Sequence, residues 1–231
     1  PIADNGRNLY VASFDDSEVF TYKLPLVSGP PSQGFFADVA DPTAIALEGR
    51  YLFVAGLGDT GFEVLEYKLP LVADEKPSGA VSGFSYFDFL SLTARNKLLY
   101  VASAADGSVG AYPLPLQLNE KPTYTIPTVK QSDGATGLAV DRNGSQLYVS
   151  LYGIGKVYAY RLPYALGDVP KVLDVRSETG GLPFGLAIGD KRLFVTTGQC
   201  VLAYRLPFMS SMTPEINLTF NGNAVGVAVD Q

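Results

Sequence analysis

The phrase Tyr-Lys-Leu-Pro-Leu at Tyr22 to Leu26 returns at Tyr67 to Leu71, then as YPLPL from Tyr112, YRLPY from Tyr160 and YRLPF from Tyr204. A second phrase precedes each of them: LYVAS from Leu9, LFVAG from Leu52, LYVAS from Leu99, LYVSL from Leu147 and LFVTT from Leu193. Successive anchors are 43, 47, 48 and 46 residues apart. A period of this length marks a repeat architecture, in which each unit buries its apolar face only against its neighbours.

Within a unit the periodicity is that of strands. Each anchor alternates apolar with small or polar residues over five to seven positions and is rich in Val, Tyr and Phe, which fits half-buried β-structure. Short polar loops such as Phe14 to Glu18 and Ala105 to Ser108 follow the anchors and read as hairpin turns. The next strand runs into the Leu-Pro dipeptide, where a residue without an amide donor ends the ladder. A weaker outer strand comes next, for example Gly34 to Ala37 or Lys171 to Val175.

A fourth strand precedes each anchor: Thr43 to Leu47, Asp88 to Leu92, Thr136 to Val140, Phe184 to Ile188 and Val225 to Val229. Small residues recur on one of its faces, as a crowded axis demands, so this strand is placed innermost; Phe89 is the bulky exception. Four strands per unit and five units describe an all-β, five-bladed β-propeller of antiparallel blades, one domain over residues 1–231. The last inner strand has no anchor after it and the first anchor has no inner strand before it. Counting from Leu193 through the termini to Leu9 gives 47 residues, one more ordinary period. The expectation is a ring closed by the N- and C-terminal strands pairing in one blade.

The units resemble the NHL, YVTN and lactonase-like propellers as a broad superfamily, over the whole chain. The motifs behind this resemblance, L-(Y/F)-V-(A/S/T) and V-x-x-Y-x-L-P, specify strands and turns rather than chemistry. Gluconolactonase-like members hold a divalent metal through Glu, Asn and Asp, and phosphogluconolactonase-like members are associated with His, Arg and Glu. This chain has no His. No Glu opens an inner strand, where Thr43, Asp88, Thr136, Phe184 and Val225 stand, so no catalytic residue carries over.

Composition narrows the function classes. The net charge is -6, which disfavours a nucleic-acid partner, because phosphate binding needs a clustered cationic surface. No apolar run approaches a membrane span. One cysteine, Cys200, permits no intrachain disulfide, and the lack of His excludes Ser-His-Asp and Cys-His nucleophiles. The sequons Asn143-Gly144-Ser145 and Asn217-Leu218-Thr219, with an N-terminal Pro1, point to a secreted, extracellular protein.

The repeat also sorts the loops. One rim gathers acidic residues, among them Asp15, Asp16, Asp38, Asp41, Asp59, Asp106, Asp133 and Glu178, whereas the other gathers Arg7, Arg50, Arg95, Lys97, Arg142, Lys191 and Arg192. Turns favour Asp and Asn for backbone reasons, and an acidic rim also steers cations or Ca²⁺. The candidate ligand-binding residues are Asp41, Asp88 and Asp133 with Asn221 and Asn223, lining the acidic channel mouth. The function expected is a non-enzymatic binding or scaffold propeller, a monomer with no required cofactor, that presents this rim to a small molecule, glycan or protein. The alternative is a Ca²⁺-dependent lactonase-like hydrolase with its site at the mouth.

Overall fold

The structure is a computed structural model that describes residues 2–27, 29–31, 33–36, 38–72, 75–128, 133–176, 181–189, 191–207, 212–224 and 226–227. The side chains of residues 2, 4, 33–36, 223 and 224 are outside the description. The chain divides into two compact units, one of residues 1–101 with 110–123 and one of residues 102–109 with 124–231.

Among the described residues twenty strands form five antiparallel four-stranded sheets. The first is β1 (Ile2–Asp4), β2 (Asn8–Ser13), β3 (Glu18–Lys23) and β4 (Gln33–Phe36); the second is β5 (Ala40–Glu48), β6 (Tyr51–Gly58), β7 (Gly61–Lys68) and β8 (Gly79–Val81). The third is β9 (Leu90–Arg95), β10 (Leu98–Ser103), β11 (Ser108–Pro113) and β12 (Tyr124–Pro127), and the boundary between the units falls within it. The fourth is β13 (Ala135–Val140), β14 (Gln146–Leu151), β15 (Lys156–Arg161) and β16 (Lys171–Asp174), and the fifth is β17 (Leu186–Gly189), β18 (Arg192–Thr196), β19 (Gly198–Arg205) and β20 (Ile216–Ala224). Each sheet runs in simple sequence order, as a meander of hairpins gives.

The two repeated phrases are partners across one hairpin. Leu9 lies opposite Tyr22, Leu52 opposite Tyr67, Leu147 opposite Tyr160 and Leu193 opposite Tyr204. The repeat therefore preserves an apolar cross-strand pair, which is the unit of sheet stabilisation. The leucine of each Leu-Pro dipeptide then adds one last rung. The amides of Leu24, Leu69, Leu114, Leu162 and Leu206 donate to the carbonyls of Arg7, Arg50, Lys97, Ser145 and Lys191 at 2.7–3.0 Å. The proline that follows is joined through a cis peptide in all five and ends the ladder, as the sequence indicates.

Alternation decides what each sheet buries. In the second sheet Leu52, Val54, Leu65 and Tyr67 pack with Tyr10, Ala12 and Val19 of the first. The intervening residues Phe53, Ala55 and Val64 pack with Leu90, Leu99 and Val101 of the third. In the other unit Tyr148, Val157 and Leu173 of the fourth sheet meet Leu193, Val195 and Leu202 of the fifth. Each pair of faces removes several large side chains from water, and each such chain contributes roughly 1.5–3 kcal/mol.

Two expectations change. The strand beside β2 is β1, at Ile2↔Val11, Ala3↔Tyr10 and Asp4↔Leu9, not the C-terminal strand. The reason is local: Asn5-Gly6 is a strong hairpin signal, Gly6 has φ +77°, and Asn5 Oδ1 accepts the amides of Arg7 and Asn8. Closing so short a loop costs far less entropy than pairing segments from opposite ends of a chain. Of Val225 to Val229, residues 225, 228 and 229 lie outside the described residues. The other change is in the third sheet, where β9 begins at Leu90, so Phe89 belongs to a loop and is no exception to the small-residue face.

Candidate functional site

The unit of residues 1–101 and 110–123 carries an open cleft of about 410 Å³ lined by Ser17, Asp38, Val39, Ala40, Leu57, Gly58 and Asp59. Ser17 comes from the β2–β3 turn, Asp38 and Val39 from the link into β5 and Ala40 from its first position, Leu57 and Gly58 from the end of β6 and Asp59 from the turn after it. The polar side chains of the wall, Ser17, Asp38 and Asp59, all come from turns and links, whose backbones are not committed to ladders.

Three local features fix these loops. Tyr67, wholly buried on β7, accepts the Asp38 amide at 2.9 Å, and burial pushes its phenol far above the ordinary tyrosine range, so it stays neutral. The Asp41 amide donates to Ser17 Oγ at 3.4 Å, which ties the link to the turn opposite. Glu63 on β7 leans over Gly58, where a Cβ would run into its carboxylate; glycine there leaves that carboxylate its place beside the cleft. Burial raises the Glu63 pKa from its ordinary value, and the charges of Asp59 and Asp38 raise it further. Of the three carboxylates, Asp38 faces a cation, Lys76 Nζ at 3.1 Å, on a side chain 77% exposed. Such a pair contributes little.

Beside the cleft lies the loop Phe84-Ser85-Tyr86-Phe87-Asp88-Phe89. It packs against the β6–β7 turn: the Phe62 amide donates to the Ser85 carbonyl, and the Tyr86 hydroxyl donates to the Asp59 carbonyl. Gly61, at φ +131°, has the Phe84 carbonyl where a Cβ would be, so only glycine admits the approach. Within the loop the Asp88 amide donates to the Ser85 carbonyl, the Phe87 amide to Ser85 Oγ and the Phe89 amide to Asp88 Oδ1 at 2.8 Å. The loop is braced, yet Tyr86, Phe87 and Phe89 stand 52%, 96% and 51% exposed.

The residues named from the sequence fall in different surroundings. Asp41 opens β5 next to the cleft, half-buried and with φ +47°. Asp88 is 5% exposed and holds its own loop through backbone amides, the structural role open to any turn aspartate. Asp133, in the other unit, is also buried, and its carbonyl accepts the Gly153 amide. Asn221 is exposed on β20, the strand at the end of its sheet; Asn223 follows on that strand, with a side chain outside the described residues. Among the described residues no three His, Cys, Asp or Glu side chains converge as a metal site would need.

Sequence reasoning missed Glu63, Tyr86 and the buried Glu66. Glu66 is fully buried on β7 and accepts the Leu116 amide at 2.8 Å and the Ser78 hydroxyl at 2.7 Å, so it fastens the loop after the third Leu-Pro to the second sheet. The signal was present: a carboxylate between Leu65 and Tyr67, inside an apolar strand, needs hydrogen-bond partners of this kind.

No protein-family model matches the sequence, and no curated protein does. Solved β-propellers do match in structure. The β-propeller domain of Cps50 (Swd1) from Myceliophteria thermophila superposes with TM-score 0.70 at 15% identity, over 95% of this chain and 70% of that one. A putative 6-phosphogluconolactonase from Bacteroides uniformis gives 0.72 at 15% identity, over 96% and 71%. A chain of the nidogen/laminin complex gives 0.73 at 15% identity, over 96% and 80%. The fold is that of a β-propeller, and at this identity the likeness is of fold alone.

Proposed function

We propose that this chain is a non-enzymatic binding propeller, extracellular and monomeric, that presents acidic loops to a positively charged group on a small molecule, glycan or protein. One observation carries the reading: Asp38 and Asp59 line one open cleft and the Glu63 carboxylate lies against Gly58 of its wall, its pKa raised first by burial and then by the charges of Asp59 and Asp38. A cation seated there relieves that repulsion, and the net charge of -6 steers it in. An organic cation suits the cleft better than Ca²⁺, which takes six or more oxygen ligands at about 2.3–2.6 Å. The structural neighbours support propeller-type binding and leave the ligand to this chain's own loops.

Calorimetric titration with pentalysine and pentaglutamate at low and high salt tests the reading. Pentalysine is expected to bind, more weakly as salt rises. Asp59→Asn combined with Glu63→Gln is expected to weaken it about tenfold, the equivalent of ~1.4 kcal/mol. Equal affinity for both peptides, or an unchanged double variant, overturns it. Metal-dependent turnover of a lactone panel would overturn the non-enzymatic part.

A further inference from the structure

The aromatic loop makes the ligand more specific. Soluble domains rarely leave neighbouring large aromatics in water, and such patches mark interaction surfaces. Here three of them stand on one six-residue loop, and Phe87 is almost wholly exposed. The loop is not loose. Ser85 and Asp88 brace it from within, and the Tyr86 hydroxyl ties it to the Asp59 carbonyl. A surface ordered in advance loses little entropy on binding, which is the condition for aromatic side chains to act as anchors.

The carboxylates beside this loop set the partner's charge. Asp59 is joined to Tyr86 through its carbonyl, and Glu63 follows the residue whose amide meets Ser85. Aromatic faces attract ammonium and guanidinium groups, and adjacent carboxylates add to that attraction. An open cleft with exposed rings at its side does not enclose a small ligand, whereas small-molecule sites bury most of their ligand's surface. Flat surfaces with aromatic anchors and polar rims are typical of protein partners.

We propose that the loop 84–89 and the Asp59–Glu63 carboxylates form a docking surface for a basic segment of a partner protein, with arginine or lysine heads held between aromatic faces and carboxylates. This rests on the acidic-cleft reading above and goes further in naming the partner.

The test compares three probes on the intact chain: an acetylated arginine-rich peptide of charge +3, hexaamminecobalt(III) of the same charge without apolar surface, and agmatine as a lone guanidinium. Wild type is expected to bind the peptide at least about tenfold more tightly than either of the others. Phe87→Ser, at a position with almost no buried surface, is expected to lose about tenfold in peptide affinity while hexaamminecobalt binding and the melting temperature stay unchanged. Asp59→Asn should weaken both. If Phe87→Ser binds the peptide as wild type does, the docking surface is overturned while the acidic cleft stands. If agmatine matches the peptide, a small-molecule ligand replaces the partner protein. If no probe binds wild type, both readings fall together.

Discussion

The first and second sheets are built from the same repeat and yet are buried very differently. In the second sheet β6 and β7 are almost entirely enclosed, whereas β2 and β3 of the first alternate between half-buried and buried positions. Leu52 and Tyr67 are wholly enclosed; their counterparts Leu9 and Tyr22 are only half-buried. The second sheet packs against the first on one face and the third on the other. A side chain's burial therefore follows from what packs on its sheet, not from the motif it belongs to. The cleft lies where these two sheets meet and takes a wall from each.

The difference can be broken most directly at the paired leucines. Leu52→Ala is expected to cost about 3–4 kcal/mol, because a wholly enclosed side chain leaves a cavity behind, and Leu9→Ala about 1 kcal/mol. Urea unfolding followed by circular dichroism measures both, and equal losses would show that the two sheets are enclosed alike. A smaller loss is expected at Glu66. Glu66→Gln puts an amide group where two donors now point, which costs about 2 kcal/mol. Hydrogen exchange should then speed up first at Leu116, whose amide exchanges a charged acceptor for a neutral one, with the first sheet unaffected.

The smallest effect sharpens the electrostatics of the cleft. The carboxyl of Glu63 is held above its ordinary 4.5. Its contribution to stability is therefore full below that value and is lost as pH rises through the raised one, because the folded state binds the proton more tightly. Glu63→Gln is expected to raise the melting temperature at pH 7 relative to wild type, with the gain vanishing near pH 4. A gain that grew on acidification would mean the carboxylate is stabilised, not strained, by its neighbours.

Much of the fold was legible because it is encoded locally. Period-two patterning gave the strands, the anchors gave the hairpins, and each Leu-Pro marked the end of a ladder. The strand beside β2 was less legible: Asn5-Gly6 closes a local hairpin that puts β1 there. The site was far less legible. Asp88, a candidate for the acidic mouth in the sequence, is the brace of a loop whose exposed rings are the functional candidates. Glu63 looked like any strand residue; its significance comes from Gly58 beneath it and Asp59 and Asp38 nearby.

By itself the sequence determined the all-β class, the five repeated units and the order of strands within each, because all of these depend on contacts between residues close along the chain. Only the tertiary structure decided which identical motifs are enclosed, which turns share a cleft and which aromatics remain in water. Those depend on packing between separate sheets, where Ser17, Asp38, Asp59 and Tyr86 come together from distant stretches of chain, and no local pattern records that meeting.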